Sequence, residues 1–372
     1  MSRQASLETT ITHIGTATPS YGLDQSESLE FLRQFMACDA AAYRKLQAIH
    51  RYGGIQHRYS VLPLLARHGA AESFYSRPSS TRPAPDTPLR QQIFDQEAMP
   101  LVHQAIKDAG IDADMLASVT HLITVSCTGV TAPGLDIDML EQLPISRQIQ
   151  RTHITFMGCY AAITALAQAQ AWCRSVPGAR VLVVDVELCS LHFQSEATED
   201  NLLANSLFAD GAAAVLIQSG EPQPSGLRID GFCSEVLLEG RHEMGWRVSS
   251  YGYQMRLSGV VPDYIAPAVP GFLERVADEM KLQNQPLRLL LHPGGKRIVD
   301  AVARVTAMNP EDRERSLYVL RRYGNMSSVT ILFILRDVLY ETHEPIEDQA
   351  FLAMAFGPGL CMESCLLRRR HD

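Results

Sequence analysis

Three polar side chains in this 372-residue chain stand where apolar runs end: Cys159, His292 and Asn325. An ionised thiol is a strong nucleophile, an imidazole exchanges protons near neutral pH, and a carboxamide NH2 polarises an oxygen without acting as a base. Together they could hold an acyl group as a thioester and steady the oxyanion or enolate formed beside it, which is the chemistry of carbon–carbon bond formation. Cys159 lies in Ile154-Thr-Phe-Met-Gly-Cys-Tyr-Ala-Ala, where a short β-branched run meets an alanine-rich stretch. That pattern places the thiol on the turn opening a helix, whose terminal N–H groups can bring a cysteine pKa from about 8.5 to roughly 3.5–7.5. An easily ionised thiol is therefore expected, with His292 able to hold it as an ion pair. His292 lies in Leu289-Leu-Leu-His-Pro-Gly-Gly and Asn325 in Tyr323-Gly-Asn-Met-Ser-Ser, both loops at element ends, where catalysis usually resides. Taken singly, each residue has a plainer explanation: a buried small side chain, a structural histidine, a turn asparagine.

The elements that must position them alternate. From Val119 the chain reads as a strand at His121–Ser126, a loop through Cys127–Gly134, a helix, a strand, a helix over Tyr160–Arg174 and a strand from Arg180. Such alternation signals an α/β sandwich with fully buried strands. The second part repeats the order: a helix over Ile265–Leu282, a strand at Arg288–Leu291, the His292 loop, a helix after Lys296 and another after Asn325. Two duplicated halves, residues 1–220 and 221–372, meet near Ser219–Ser225, where Gly-Glu-Pro-Gln-Pro-Ser breaks the pattern. The proline-rich Ser76–Pro88 reads as an exposed loop before a helix over Leu89–Ala109, and Arg368–Asp372 as a solvated tail.

Composition narrows the function classes. With 46% hydrophobic and 20% charged residues the chain can build large buried sheets, and no apolar run reaches the roughly 18 residues of a membrane helix. A net charge of −8 and no basic stripe argue against nucleic-acid binding. The first residues lack the apolar core of a secretory signal, so a cytoplasmic location is expected. Eight scattered cysteines lack the paired spacing of a structural zinc site and should stay reduced.

The ordered motifs Ser206-Leu-Phe-Ala-Asp-Gly-Ala-Ala-Ala, His292-Pro-Gly-Gly, Tyr323-Gly-Asn-Met-Ser-Ser and Phe356-Gly-Pro-Gly, with Cys159, resemble type III polyketide synthases, the chalcone and stilbene synthase superfamily. The resemblance covers nearly the whole chain and is closer to the bacterial branch. It implies a thiolase-like, five-layered α/β/α/β/α sandwich and a homodimer. Cys159 would be the nucleophile that takes an acyl group from coenzyme A, while His292 and Asn325 stabilise the thioester oxygen and the enolate left by malonyl decarboxylation. Acyl-CoA and malonyl-CoA would be the substrates, with no metal, flavin or nicotinamide cofactor.

By the same resemblance Phe208 is the gate between coenzyme A tunnel and reaction cavity, and Met255 stands where plant enzymes have a second gate phenylalanine. Cys127, Cys189 and His192 replace plant threonines. Gly357 and Pro358 shape the cyclisation cavity, and Ser327 lies in its wall. Ala132 replaces a methionine that in plant enzymes reaches into the partner's cavity. Met255 and Ala132 leave room, which motivates an aliphatic, long-chain starter and a pyrone or phenolic, resorcinol-type product. For the coenzyme A phosphates Lys45 matches, whereas the next two expected positions hold Ala48 and Tyr52, with Arg51 and Arg58 as substitutes. The rivals are tetrahydroxynaphthalene-type synthesis from malonyl-CoA alone, a ketoacyl synthase III-like enzyme that condenses once and uses acyl carrier protein, and a non-catalytic scaffold.

Overall fold

The computed structural model describes residues 8–64, 74–75, 84–220, 225–282, 286–341 and 349–370. The first half runs β1 (Glu8–Ala17), β2 (Tyr21–Asp24), α1 (Gln25–Phe35), α2 (Ala40–Tyr52), β3 (His57–Ser60), α3 (Thr87–Asp108), α4 (Ala113–Ala117), β4 (His121–Ser126), α5 (Leu135–Gln142), β5 (Gln150–Thr155), α6 (Ala161–Ser175), β6 (Arg180–Leu188), α7 (Glu199–Leu207) and β7 (Asp210–Gly220). The second half runs β8 (Gly226–Val236), β9 (Met244–Ser249), β10 (Gly252–Leu257), α8 (Val261–Glu279), β11 (Leu287–Leu291), α9 (Lys296–Thr306), α10 (Pro310–Tyr323), α11 (Val329–Leu339), β12 (Ala350–Gly357) and β13 (Cys361–Arg370).

One hydrogen-bonded sheet passes through both halves in the order β11-β12-β13-β8-β1-β7-β6-β4-β5. The duplication is visible in how the strands pair. In the first half β4 is parallel to β6, β6 antiparallel to β7, and β7 antiparallel to β1; in the second, β11 is parallel to β12, β12 antiparallel to β13, and β13 antiparallel to β8. The first strands of the two halves meet at a narrow seam, Thr10 opposite Arg228 and Ile11 opposite Leu227.

Strand alternation sends successive side chains to opposite faces, and here each face has its own core. Val181, Val183, Val215, Phe351 and Ala353 face a cluster with Ala162, Leu166, Leu332 and Leu335 from α6 and α11. Their neighbours Leu182, Val184, Leu216, Leu352 and Met354 face the opposite way, with Val102 and Ala105 of α3 and Val269 and Val299 of α8 and α9. The sheet thus wraps a middle layer of α6 and α11 between two outer helix layers, the five-layered α/β/α/β/α sandwich of the thiolase-like fold.

Two readings of the chain's ends change. Arg368–Arg370 are not a solvated tail: they end β13, with Arg368 Nε on Asp230 Oδ2 at 2.7 Å, Arg369 buried against Glu341 and Arg370 on Glu8. Ion pairing at the sheet's end lets charged side chains occupy a strand that their composition alone argued against. The helix expected from Leu89 starts at Thr87, because Asp86 caps it by accepting the Leu89 N–H at 3.0 Å. Residues 76–83 of the proline-rich segment and 221–224 of the expected boundary lie outside the described residues. Among the described residues no helix is long and apolar enough to cross a membrane.

Candidate active site

Cys159 stands two residues before α6 at the end of a tight turn. Phe156 and Gly158 both take positive φ, 56° and 86°. Gly158 is required twice over, since a Cβ there would also sit 2.4 Å from Pro358 Cδ. The Gly158 N–H donates to Cys127 Sγ at 3.1 Å, fixing the turn from behind. From the second half, Asn325 follows α10 at the entrance to α11. Its N–H donates to the Leu207 carbonyl and its carbonyl accepts from Ala209 N–H, both at 2.9 Å, which clamps it beside Phe208. Its side chain donates through Nδ2 to the Gly294 carbonyl at 3.1 Å and accepts from Ser327 N–H at 2.9 Å. His292 leaves the end of β11 with its N–H on the Met354 carbonyl at 2.8 Å. The triad is thus assembled from the ends of the middle-layer helices and of one strand.

Cys159, His292 and Asn325 are 5%, 1% and 2% exposed. Burial pushes the thiol up to about 12, with Glu187 and Asp185 adding to the rise and Ser327 and Asn325 opposing it. Burial also brings His292 down to about 3, and among the described residues neither of its ring nitrogens has a hydrogen-bond partner. The easily ionised thiol expected from the helix end is therefore not what the closed pocket favours: desolvation outweighs the helix field. Ionising either group alone is costly, whereas moving the thiol proton onto the imidazole creates no net charge.

Behind the thiol lies a carboxyl pair that the sequence reading passed over. Asp185 and Glu187, two residues apart on β6, share its inner face. Ser328 Oγ lies 3.0 Å from Asp185 Oδ1 and 2.9 Å from Glu187 Oε1. Glu187 Oε2 accepts from Cys127 N–H at 3.0 Å and Thr128 Oγ1 at 2.8 Å. Burial, with mutual repulsion, raises the pKa of Asp185 well above that of a free carboxyl, and burial raises Glu187 too. Two charged residues in the otherwise apolar Val181–Leu188 run were the signal available.

The cavity residues divide. Phe208, Ser327, Cys127, Gly357 and Pro358 gather around the triad; a Cβ on Gly357 would meet Tyr160 at 2.6 Å and Cys159 N at 3.4 Å. Burial raises the Cys189 thiol well above its ordinary value, with Glu187, Asp210 and the nearby Cys159 and Cys127 adding to the rise. His192 donates from Nε2 to the Thr128 carbonyl at 2.7 Å, accepts the Tyr253 N–H on Nδ1 at 3.1 Å, and stacks on Tyr253 at 4.1 Å. Met255 is buried and pairs across the hairpin with Trp246, whose ring lies 6.1 Å from Phe208. Trp246 was missed, and it occupies space that the small gate residue had promised. Ala132 is exposed at the cis bond to Pro133 and does not join this group.

Of the residues expected at the coenzyme A phosphates, Lys45 on α2 is paired with Glu199, Arg51 on α2 lies over the Tyr52 ring at 5.4 Å, and Arg58 on β3 is buried, donating to the Asn205 and Phe208 carbonyls at 2.7 Å each. A cavity of about 310 Å³ runs from Ala48 and Tyr52 on α2 past Leu207 and Leu257 to Gly294 and Gly295, with Lys296 and Arg297 in its wall. Among the described residues no cluster of three or more His, Cys, Asp or Glu side chains is placed to hold a metal.

Residues 1–222 match the N-terminal domain, and residues 232–370 the C-terminal domain, of the chalcone and stilbene synthases. The chain belongs to this family. It is 28% identical over 370 residues to a putative chalcone synthase of Bacillus subtilis, covering 96% of this chain and 97% of that one. It is also 28% identical over 360 residues to the alpha-pyrone synthesis polyketide synthase-like Pks18 of Mycobacterium tuberculosis, covering 95% and 89%. Among solved structures, PKS-I of the brown alga Ectocarpus siliculosus superposes with a TM-score of 0.89 at 26% identity, covering 99% of this chain and all of that one. This member of the type III polyketide synthases is an acyltransferase of the malonyl-CoA-dependent kind.

Proposed function

We propose that the chain loads an acyl starter from coenzyme A onto Cys159, extends it with malonyl-CoA, and releases a cyclised pyrone or phenolic product. The observation that carries this is Asn325, whose side chain reaches the Cys159 thiol and donates to the carbonyl of Gly294, a cavity-wall residue that lies beside the His292 ring. In the loading step the Cys159 sulfur attacks the thioester carbonyl as its proton passes to His292, and coenzyme A leaves as the free thiol with that proton. Malonyl-CoA then loses carbon dioxide, and the enolate oxygen is held by Asn325 Nδ2 and His292. One such donor is typically worth about 2.7–4 kcal/mol at an oxyanion. The enolate carbon attacks the Cys159 thioester, the carbon–sulfur bond breaks, and the thiolate is regenerated.

An aliphatic starter is supported by the buried, flexible Met255 where plant enzymes have a gate phenylalanine. The test is mass spectrometry of products from malonyl-CoA with short, long and aromatic acyl-CoAs, beside a control without starter and a Cys159→Ala variant. Multiply extended cyclic products from long acyl-CoAs are expected, with no acyl-enzyme on the variant. Products from malonyl-CoA alone would replace this reading with tetrahydroxynaphthalene-type synthesis, and ready turnover of malonyl-acyl carrier protein would favour single condensation.

A homodimer formed through β5 belongs to the same reading. This strand ends the sheet order, and Gln150, Arg151 and His153 are exposed. An edge strand with unpaired backbone groups invites a second strand, and light scattering of the purified chain tests it.

A further inference from the structure

We infer that the outer face of the β9–β10 hairpin is a phosphate clamp for the nucleotide end of the coenzyme A thioesters. The inference rests on the acyl-CoA reading above but concerns a different set of residues. Arg241, Arg247 and Arg256, with His242, line a cavity of about 300 Å³ beside Asp200. The strand register explains its shape. Arg247 pairs with Gln254 and Arg256 with Gly245, so the two arginines are diagonal neighbours on one face, and Gly245 leaves the floor open: a Cβ there would meet nothing within 4 Å.

Like charges so placed repel unless an anion lies between them. Among the described residues none of the three guanidinium groups has a hydrogen bond or ion pair, although acidic residues outnumber basic ones 41 to 33 in the chain. Asp200, the carboxylate in this wall, accepts the Leu257 N–H at 3.2 Å. The guanidinium fork matches a phosphate's oxygens and suits this unfilled charge better than a lone point charge would.

Position ties the clamp to the reaction. The same strand continues from Arg256 to Leu257, which lines the cavity leading to Gly294 and Gly295. Helix α7 likewise runs from Asp200 at the clamp to Leu207 beside Phe208. A thioester arm entering along Leu257 and Leu207 would leave its phosphates at the Arg256 end. Of the α2 cations, Lys45 is paired with Glu199, next in the chain to Asp200 of the clamp wall, and Arg51 lies over the Tyr52 ring. The inner side of the hairpin carries Tyr253 and Met255 against the reaction cavity, so phosphate binding outside would also brace the wall inside.

The test uses the full chain with Arg247→Ala/Arg256→Ala and Arg241→Ala. Calorimetry with coenzyme A, 3′-dephospho-coenzyme A and pantetheine measures the site directly, and KM for malonyl-CoA is set against KM for malonyl-N-acetylcysteamine, which has no phosphates. The double variant is expected to weaken coenzyme A binding by about tenfold or more, the loss of a charge-assisted contact. Its KM should rise far more for malonyl-CoA than for the truncated thioester. A weaker parent affinity for the dephospho compound would assign the clamp to the 3′-phosphate, and equal affinity would assign it to the diphosphate. Unchanged coenzyme A binding, or equal KM increases for both thioesters, would overturn the clamp. Loss of coenzyme A binding in a protein whose parent turns over no thioester would uphold the clamp and count against the functional reading instead.

Discussion

Cys127 Sγ accepts the Gly158 N–H at 3.1 Å, so one thiol holds the turn that presents another. Cys127→Ala should slow formation of the acyl-enzyme by roughly threefold to tenfold, the kinetic equivalent of one net hydrogen bond. Cys127→Ser keeps an acceptor and should recover most of the rate. Intact-mass measurement of acyl-Cys159 against time separates the two, and equal rates in all three proteins would remove the contact from the mechanism.

Trp246 lies 6.1 Å from the Phe208 ring and pairs with Met255 across the hairpin, between the two gate positions. Trp246→Ala is expected to shift products toward longer polyketides or bulkier starters, read by chromatography with mass detection. An unchanged product distribution would show that the wall lies elsewhere.

Burial and repulsion from Glu187 raise the Asp185 pKa in the folded chain, so its ionised form costs the fold stability. That burden grows as pH rises above the unfolded value near 4 and vanishes below it. Asp185→Asn carries no such burden. Its urea midpoint should exceed the parent's at pH 8 and converge toward it near pH 4; a constant difference would mean the carboxyl is not the cause.

His50 runs the opposite way. Buried between the Leu46 carbonyl and Ser28, with Arg58 nearby, it is lowered to about 4 mainly by desolvation. A depressed histidine stabilises the fold fully above the unfolded pKa and loses that contribution as pH falls. Relative to His50→Gln, the parent should lose about 3 kcal/mol between pH 6.5 and 4. Parallel stability curves for the two proteins would contradict this.

Arg58 holds the end of α7 by donating to the Asn205 and Phe208 carbonyls. Removing a buried charged donor leaves acceptors unsatisfied, so Arg58→Met should cost on the order of 3 kcal/mol. Urea unfolding measures it, and a loss below 1 kcal/mol would mean that the carbonyls find other donors.

Much of this architecture was legible because buried parallel strands are nearly all apolar and the triad sits in glycine-marked loops between elements. The Cys159, His292 and Asn325 loops announced themselves for that reason. What escaped depended on partners distant along the chain. Lys45 meets Glu199, 154 residues away, so its availability for phosphate could not be read from α2. Arg58 resembles a surface cation in sequence and becomes interior only when α7 lies over it. Trp246 faces Met255 through a hairpin register that composition does not set. Asp185 and Glu187 were visible as charges in a strand, but only α11 supplies the Ser328 hydroxyl that bridges them.

The middle layer gives the pocket a further property. Cys159 rides on the front of α6 and Asn325 on the approach to α11, while among the described residues the strands β1 and β8 that join the two half-sheets share just two ladder pairs. The distance between nucleophile and oxyanion donor is therefore a gauge of how the halves are seated on one another. A solvent or temperature that merely loosens this seating would silence the enzyme while each half kept its secondary structure.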